Sequence, residues 1–135
     1  MRTGRGDDSV MRIAEATLPP DITVLDCTLR DGGLMNDHFF DSGFVRAVYE
    51  ACSAAGVGYV EIGYRAAKRL YAPDRFGAWK YCAEDDIRRA LGDRPAGAKL
   101  SVMADAGRTD YREDIPLAER SVVSLIRVAC YAQQA

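Results

Sequence analysis

The stretch ITVLDCTLRDGG, residues 22–33, decides the fold of this chain. Its first half is apolar and rich in β-branched residues, and its second half brings charged residues and two glycines. This order is typical of a buried strand that delivers polar side chains to its carboxyl end. Active sites of parallel α/β folds lie at that end of the strands. The sequence therefore places a candidate site around Arg30 and Asp31.

In an extended strand, side chains alternate between two faces, so Asp26 and Arg30 share one face. Asp31 reaches the same face only if the chain turns, and the freedom in φ of the two glycines that follow permits such a turn. Arg30 and Asp31 can then face one pocket, where a guanidinium holds a carboxylate and a carboxylate suits a hard divalent cation. The alternative is a strand end that is closed by a structural ion pair and a glycine turn.

Residues 26–33, DCTLRDGG, resemble the first-strand signature of the DRE-TIM metallolyases. That superfamily includes 4-hydroxy-2-oxovalerate aldolase, 3-hydroxy-3-methylglutaryl-CoA lyase, and the isopropylmalate and homocitrate synthases. The resemblance implies a (β/α)8 barrel that acts on a 2-oxo acid as a carbon–carbon lyase or a Claisen-type acyltransferase. It implies that Arg30 steadies an enolate oxygen and that Asp31 binds a divalent metal, Mn²⁺ or Mg²⁺. The double glycine is most similar to the aldolase branch.

Glu61 is the unusual residue of the segment YVEIGY, which predicts a second strand over residues 59–64. A buried carboxylate is costly unless it is paired, so we expect an arginine of a neighbouring strand beside it. Glu-Ile-Gly also resembles the second-strand motif of the superfamily, whose glutamate orients an arginine or a water near the substrate. The alternative is an ion pair that only fixes the interior. Arg127, in a fourth strand predicted over residues 124–130, is the expected partner of either Glu61 or Asp105.

Three further positions complete the predicted site. Asp105 ends a third strand predicted over residues 99–105 and is followed by Ala-Gly, which repeats the pattern of a charge followed by glycine. We expect Asp26, Asp105 and Arg127 to contact the substrate. His38, the only histidine, lies in the loop 34–41. In the resembling aldolases a histidine of this loop can act as a general base, and the alternative for His38 is a solvated or hydrogen-bonded side chain.

Helical spacing of apolar residues separates the predicted strands. It predicts one helix over residues 42–55, capped by Asp41 or Ser42, and another over 78–91. The expected buried residues are Phe44, Val45, Val48, Tyr49, Cys52 and Ala55 in the first helix, and Trp79, Cys82, Ile87 and Leu91 in the second. The predicted fold class is therefore α/β, with parallel strands that form the first four βα units of a (β/α)8 barrel.

Composition excludes several other functions. With 48% hydrophobic and 28% charged residues the chain can build a core, and no apolar run is long enough to span a bilayer. A net charge of -2 gives no reason to expect nucleic acid. The four cysteines are irregularly spaced, so neither a zinc site nor a disulfide framework is indicated. We therefore expect a cytoplasmic protein with a small-molecule substrate.

The chain has 135 residues, whereas a complete barrel needs about 250. We expect a flexible tail over residues 1–20 and half of an aldolase-type barrel over 21–135. In complete members of the superfamily a His-x-His pair supplies two more metal ligands, which a chain with one histidine cannot contain. Asp31 alone would therefore hold a metal weakly, and a second copy or a complementary half-barrel chain would supply the rest. The alternative is a non-catalytic half-barrel or truncated remnant with an assembly role.

Overall fold

The computed structural model describes residues 21–134, so the predicted tail over residues 1–20 lies outside the described part. The strands are β1 Leu25–Asp26, β2 Tyr59–Tyr64, β3 Lys99–Asp105 and β4 Val123–Ala129. The α-helices are α1 Thr28–Gly32, α2 Ser42–Ala54 and α3 Glu84–Leu91. Short 3₁₀ helices span Gly33–Met35, Ala78–Lys80, Ala118–Arg120 and Ala132–Gln134. None of the helices within residues 21–134 has the length and apolar character needed to cross a membrane.

The four strands form one open sheet in the order β1-β2-β3-β4, and every neighbouring pair is parallel. Each strand therefore pairs with the next one along the chain, with helical connections between strands, as in half of a barrel. This arrangement confirms the predicted fold class. Strands β2 and β3 have the bounds that the sequence predicts, because each is a short apolar run with turn residues on both sides.

The sheet has one apolar face and one polar face. Alternate residues of β2 and β3 join the core that α2 and α3 cover: Val60, Ile62, Leu100 and Val102 from the strands, with Val45, Tyr49, Ile87 and Ala90 from the helices. The residues between them, Glu61 and Ser101, are also fully buried but meet each other on the opposite face. The two-residue period of the strands thus separates a hydrophobic core from a polar interior.

The first strand is shorter than predicted. Ile22 is 52% exposed, and β1 contains two residues before the chain turns into α1. Asp26 explains the turn, since its carboxylate accepts bonds from the amide and the hydroxyl of Thr28 at 3.0 and 2.9 Å. Such local bonds compete with a strand ladder. The strict face alternation predicted for residues 26–30 is therefore wrong.

The helix predicted over residues 78–91 is divided in two. A 3₁₀ turn at Ala78–Lys80 is separated from α3 by Cys82, whose φ is 43°. The turn lies against β2 so closely that a Cβ on Gly63 would be 2.0 Å from the carbonyl oxygen of Trp79.

The helix predicted over residues 42–55 buries a different face from the one expected. Phe44 is 48% exposed, whereas Val45 and Tyr49 form the centre of the buried face.

Candidate functional site

Four charged side chains form a connected cluster on the polar face of the sheet. We call Arg30, Asp31, Glu61 and Arg127 the charge cluster. Arg127 binds Glu61 through two bonds of 2.7 Å, from Nε to Oε2 and from Nη2 to Oε1. Arg30 Nε donates to Oε1 of the same carboxylate at 2.9 Å, and Arg30 Nη1 donates to Asp31 Oδ1 at 2.5 Å. The cluster contains two positive and two negative groups, so it is neutral overall.

Glu61 is the centre of the charge cluster and is fully buried. Burial alone would raise the pKa of its carboxyl group, but the hydrogen bonds from Arg127 and Arg30 outweigh burial and hold the pKa below its usual value. The carboxylate also accepts bonds from Ser101 Oγ at 3.3 Å and from the Cys27 thiol at 3.6 Å. A carboxylate with so many donors around it stays ionised and orients the groups that bind it.

Arg127 therefore pairs with Glu61, which decides between the two partners that the sequence left open. Its side chain is 38% exposed, whereas that of Arg30 is 16% exposed and that of Asp31 is 58% exposed. Arg30 is thus held between a buried carboxylate and a solvent-facing one. Glu61 and Asp31 each accept a bond from one of the five N–H groups of its guanidinium, and Cys27 and Tyr64 also interact with it.

Tyr64 is a member of the site that sequence reasoning missed. It is three residues after Glu61, so in a regular strand the two side chains would lie on opposite faces. The pairing with β3 shifts register between these two residues, however, and both act on Arg30. Burial raises the pKa of Tyr64, and the Arg30 guanidinium opposes this rise. Its position directly after Glu-Ile-Gly was the signal available in the sequence.

His38 is buried, with 2% of its surface exposed, and packs edge-on against Tyr64 at 5.3 Å between ring centroids. Burial, together with the nearby Lys80, lowers the pKa of His38 to about 4, although Asp37 acts in the opposite direction. The imidazole is therefore neutral at physiological pH, and its Nδ1 has no hydrogen-bond partner within the described residues 21–134. The solvated loop side chain that the sequence allowed is not what the structure shows.

Gly33 is required because a side chain at this position would collide with His38, not because its backbone adopts an unusual conformation. Both glycines of the motif have helical φ values, -58° for Gly32 and -59° for Gly33. The turn that the sequence ascribed to their freedom in φ is therefore made without it. A Cβ on Gly33 would lie 2.1 Å from His38 Nδ1, whereas the nearest atom to a Cβ on Gly32 would be 3.5 Å away.

This difference predicts that Gly33→Ala lowers the free energy of unfolding by about 1–3 kcal/mol, because the imidazole of His38 must move. The matched variant Gly32→Ala should be neutral or stabilise the protein by roughly 0.5 kcal/mol, since alanine favours helical φ. Urea denaturation of both variants measures the difference. Equal stabilities for the two variants would contradict this account of the double glycine.

Asp26 and Asp105 are the other two residues that the sequence predicts to contact the substrate. The carboxylate of Asp26 accepts hydrogen bonds from Thr28 at the start of α1. Asp105, at the end of β3, is partly buried and lines a cavity of about 350 Å³ with Arg108, Cys130 and Tyr131. Its charge acts on Tyr64.

Asp31 provides a single carboxylate for the predicted metal. Residues 21–134 contain no group of three or more His, Cys, Asp or Glu side chains that could hold a metal ion. Asp31 is in addition bound to Arg30. Because hard divalent cations need several oxygen or nitrogen ligands, the described residues do not fit a complete metal site.

Comparison with solved structures supports the fold. The chain is similar to the crystal structure of "the N-terminal domain of a putative aldolase from Bacteroides vulgatus", with a TM-score of 0.65 and 26% sequence identity. The match covers 79% of this chain and 35% of that chain, so this chain spans about a third of the length of the solved structure. No protein-family model matches the chain, and the comparison with curated proteins gave no match.

Proposed function

We propose that this chain carries the enolate-binding part of an aldolase-type carbon–carbon lyase that acts on a 2-oxo acid such as pyruvate. The observation that carries the proposal is the position of Arg30, which follows β1 and is held between the carboxylates of Glu61 and Asp31. The similarity to the N-terminal domain of a candidate aldolase supports the same class of reaction. The resemblance of residues 26–33 to the DRE-TIM signature specifies it further.

Arg30 is proposed to stabilise the negative charge that develops on the oxo group. In aldol cleavage a base removes the proton of the 4-hydroxyl group, and the electrons left on that oxygen form the carbonyl group of the aldehyde that leaves. The bond between C3 and C4 breaks, and its electron pair is delocalised onto the 2-oxo oxygen as an enolate. The enolate is then protonated at C3 to give the 2-oxo acid product. A guanidinium already fixed in place stabilises such an oxygen without reorganising during the reaction.

Glu61 and Arg127 are proposed as positioning residues. The carboxylate of Glu61 already accepts bonds from both arginines, which leaves it poorly suited to remove a proton. Instead, it fixes the plane of the Arg30 guanidinium. His38 remains a proposed catalytic residue: its imidazole is neutral at pH 7, but a pKa of about 4 makes it a weak base.

We also propose that the site holds a divalent metal ion and that it is completed by a second chain. Asp31 would contribute one ligand to Mn²⁺ or Mg²⁺, which would polarise the oxo acid, and other ligands would have to come from outside residues 21–134. Among the strands of residues 21–134, none pairs with the outer edge of β4, so a second copy or another chain can pair there.

The test uses exchange of the methyl protons of pyruvate in deuterated buffer, because exchange requires the enolate but no aldehyde. We expect the full chain with Mg²⁺ to accelerate exchange, and we expect Arg30→Met to reduce the rate about 100-fold, as for loss of one oxyanion donor. Arg112→Met, which changes an exposed arginine in the loop after β3, should leave the rate unchanged.

Three further measurements show which properties of the site the exchange reaction depends on. Arg30→Lys keeps the positive charge, so loss of exchange in this variant indicates that the guanidinium geometry is needed. Asp31→Asn should remove the dependence on Mg²⁺, and light scattering on the same sample gives the size of the active species. Wild-type protein that gives no exchange above buffer, with or without metal, would contradict the proposal.

A further inference from the structure

Lys80 is a buried cation in an aromatic cage. It ends the 3₁₀ turn Ala78–Lys80 and is 7% exposed. Its ammonium nitrogen lies 4.3 Å from the ring centroid of Tyr71, 4.5 Å from that of Tyr64 and 5.7 Å from that of Phe76. The faces of aromatic rings attract such a cation.

The ammonium group of Lys80 has no hydrogen-bond acceptor and no counter-ion within ion-pair distance among residues 21–134. Two other buried charged residues are paired: Arg65 with Glu84 at 2.6 Å, and Glu61 with its two arginines. Burial lowers the pKa of Lys80. Aromatic faces interact with the positive charge, but they do not replace acceptors for its three N–H groups.

Tyr64 connects Lys80 to the charge cluster. One face of its ring lies against the Lys80 ammonium group, the ring meets the His38 imidazole in a T-shaped arrangement, and it also interacts with Arg30. Lys80 is therefore separated from Arg30 by a single aromatic ring. A small molecule bound beside this ring would lie next to both cations.

The charges around Lys80 favour a singly charged ligand group. Asp105 and Asp37 act to raise the pKa of Lys80, whereas Arg108 acts to lower it. Two aspartates thus oppose one arginine in its surroundings. One ammonium group without a counter-ion in the described part of the chain matches the single negative charge of a carboxylate, whereas a phosphate group carries nearly two at pH 7.

We propose that Lys80 binds a second carboxylate of the substrate, remote from the oxo group, so that the site takes a dicarboxylic 2-oxo acid. This inference rests on the proposed function for the end of the substrate that Arg30 holds. The ammonium group supplies the donors for the carboxylate oxygens, and Tyr64, Tyr71 and Phe76 hold it in place.

The test compares two 2-oxo acids of equal chain length that differ in the terminal carboxylate. Calorimetric titration of the full chain, with Mg²⁺ present, uses 2-oxoglutarate, 2-oxopentanoate and inorganic phosphate. We expect 2-oxoglutarate to bind at least tenfold more tightly than the other two. Lys80→Met should reduce its affinity to that of 2-oxopentanoate and leave the affinity for 2-oxopentanoate unchanged.

Lys68→Met is the matched control, because Lys68 is exposed and lies over the ring of Tyr81 at 5.7 Å. It should not alter either affinity. Equal binding of the two acids by wild type, tighter binding of phosphate, or equal weakening of both acids by Lys80→Met would overturn the inference. Melting curves establish that the variant is folded, and a misfolded Lys80→Met is replaced by Lys80→Gln in the same comparison.

The outcomes separate this inference from the proposed function. Arg30-dependent exchange of pyruvate protons without a preference for 2-oxoglutarate refutes the role of Lys80 alone. Absence of exchange together with absence of binding of either acid refutes both.

Discussion

Glu61→Gln is expected to lower the free energy of unfolding by about 3–4 kcal/mol, the largest effect of any single change in the charge cluster. The substitution keeps the size of the side chain but removes the charge that compensates two arginines. Arg30 is mostly buried and loses most from the change, whereas Arg127, at 38% exposure, recovers part of the loss from water. Urea denaturation at pH 7 measures the effect.

Ser101→Ala is the control for Glu61→Gln. It removes one donor, at 3.3 Å, from the same carboxylate and leaves the ion pairs intact. We expect a loss of about 1 kcal/mol, typical of one hydrogen bond. A loss below 1 kcal/mol for Glu61→Gln, or a loss no larger than that of Ser101→Ala, would show that the two arginines do not depend on this carboxylate.

Lowering the pH from 6.5 to 4 is expected to cost the wild-type protein about 3 kcal/mol of stability through His38. In the unfolded chain the imidazole takes up a proton near pH 6.5, but in the folded chain burial postpones protonation to about pH 4. The unfolded state therefore binds more protons across this window. Acid favours unfolding there, and the penalty is complete once the pH is below both values.

His38→Asn provides the comparison, because asparagine tolerates the positive φ of 64° at this position and does not titrate. The variant should lose little stability between pH 6.5 and 4.5. Above pH 4.5 the difference reports mainly on His38, because the chain has one histidine and because Glu61 and Glu84, whose pKa values are lowered, lose their contribution mainly below their ordinary pKa. If the free energy of unfolding falls equally with pH in wild type and variant, the imidazole of His38 is not held neutral by burial.

The sequence was sufficient for the architecture and for the main members of the charge cluster. Strands β2 and β3 follow from alternation within short apolar runs. Glu61, a lone carboxylate in such a run, implied an arginine partner, and Arg127 is that arginine, but it comes from β4, which β3 separates from β2. These predictions succeeded because they depend on local periodicity and on the high cost of an unpaired buried charge.

The sequence was insufficient wherever one specific contact, local or distant, changes the course of the chain. The strict alternation predicted for the first strand is wrong because Asp26 binds Thr28 and turns the chain. The double glycine shows the same limit, since its spacing suggested a turn whereas Gly33 leaves room for a histidine five residues later. The long helix predicted over residues 78–91 is interrupted because its first turn packs against Gly63.

The amino-acid sequence by itself determined which residues are apolar, which carry charge, and at what period they recur. These properties specify a parallel α/β sheet with a charged interior. Only the tertiary structure decided that Lys80 lies among three aromatic rings, that His38 is buried against Gly33, and that Glu61 binds both arginines. Such arrangements depend on the packing of segments far apart in the chain, which no local pattern encodes.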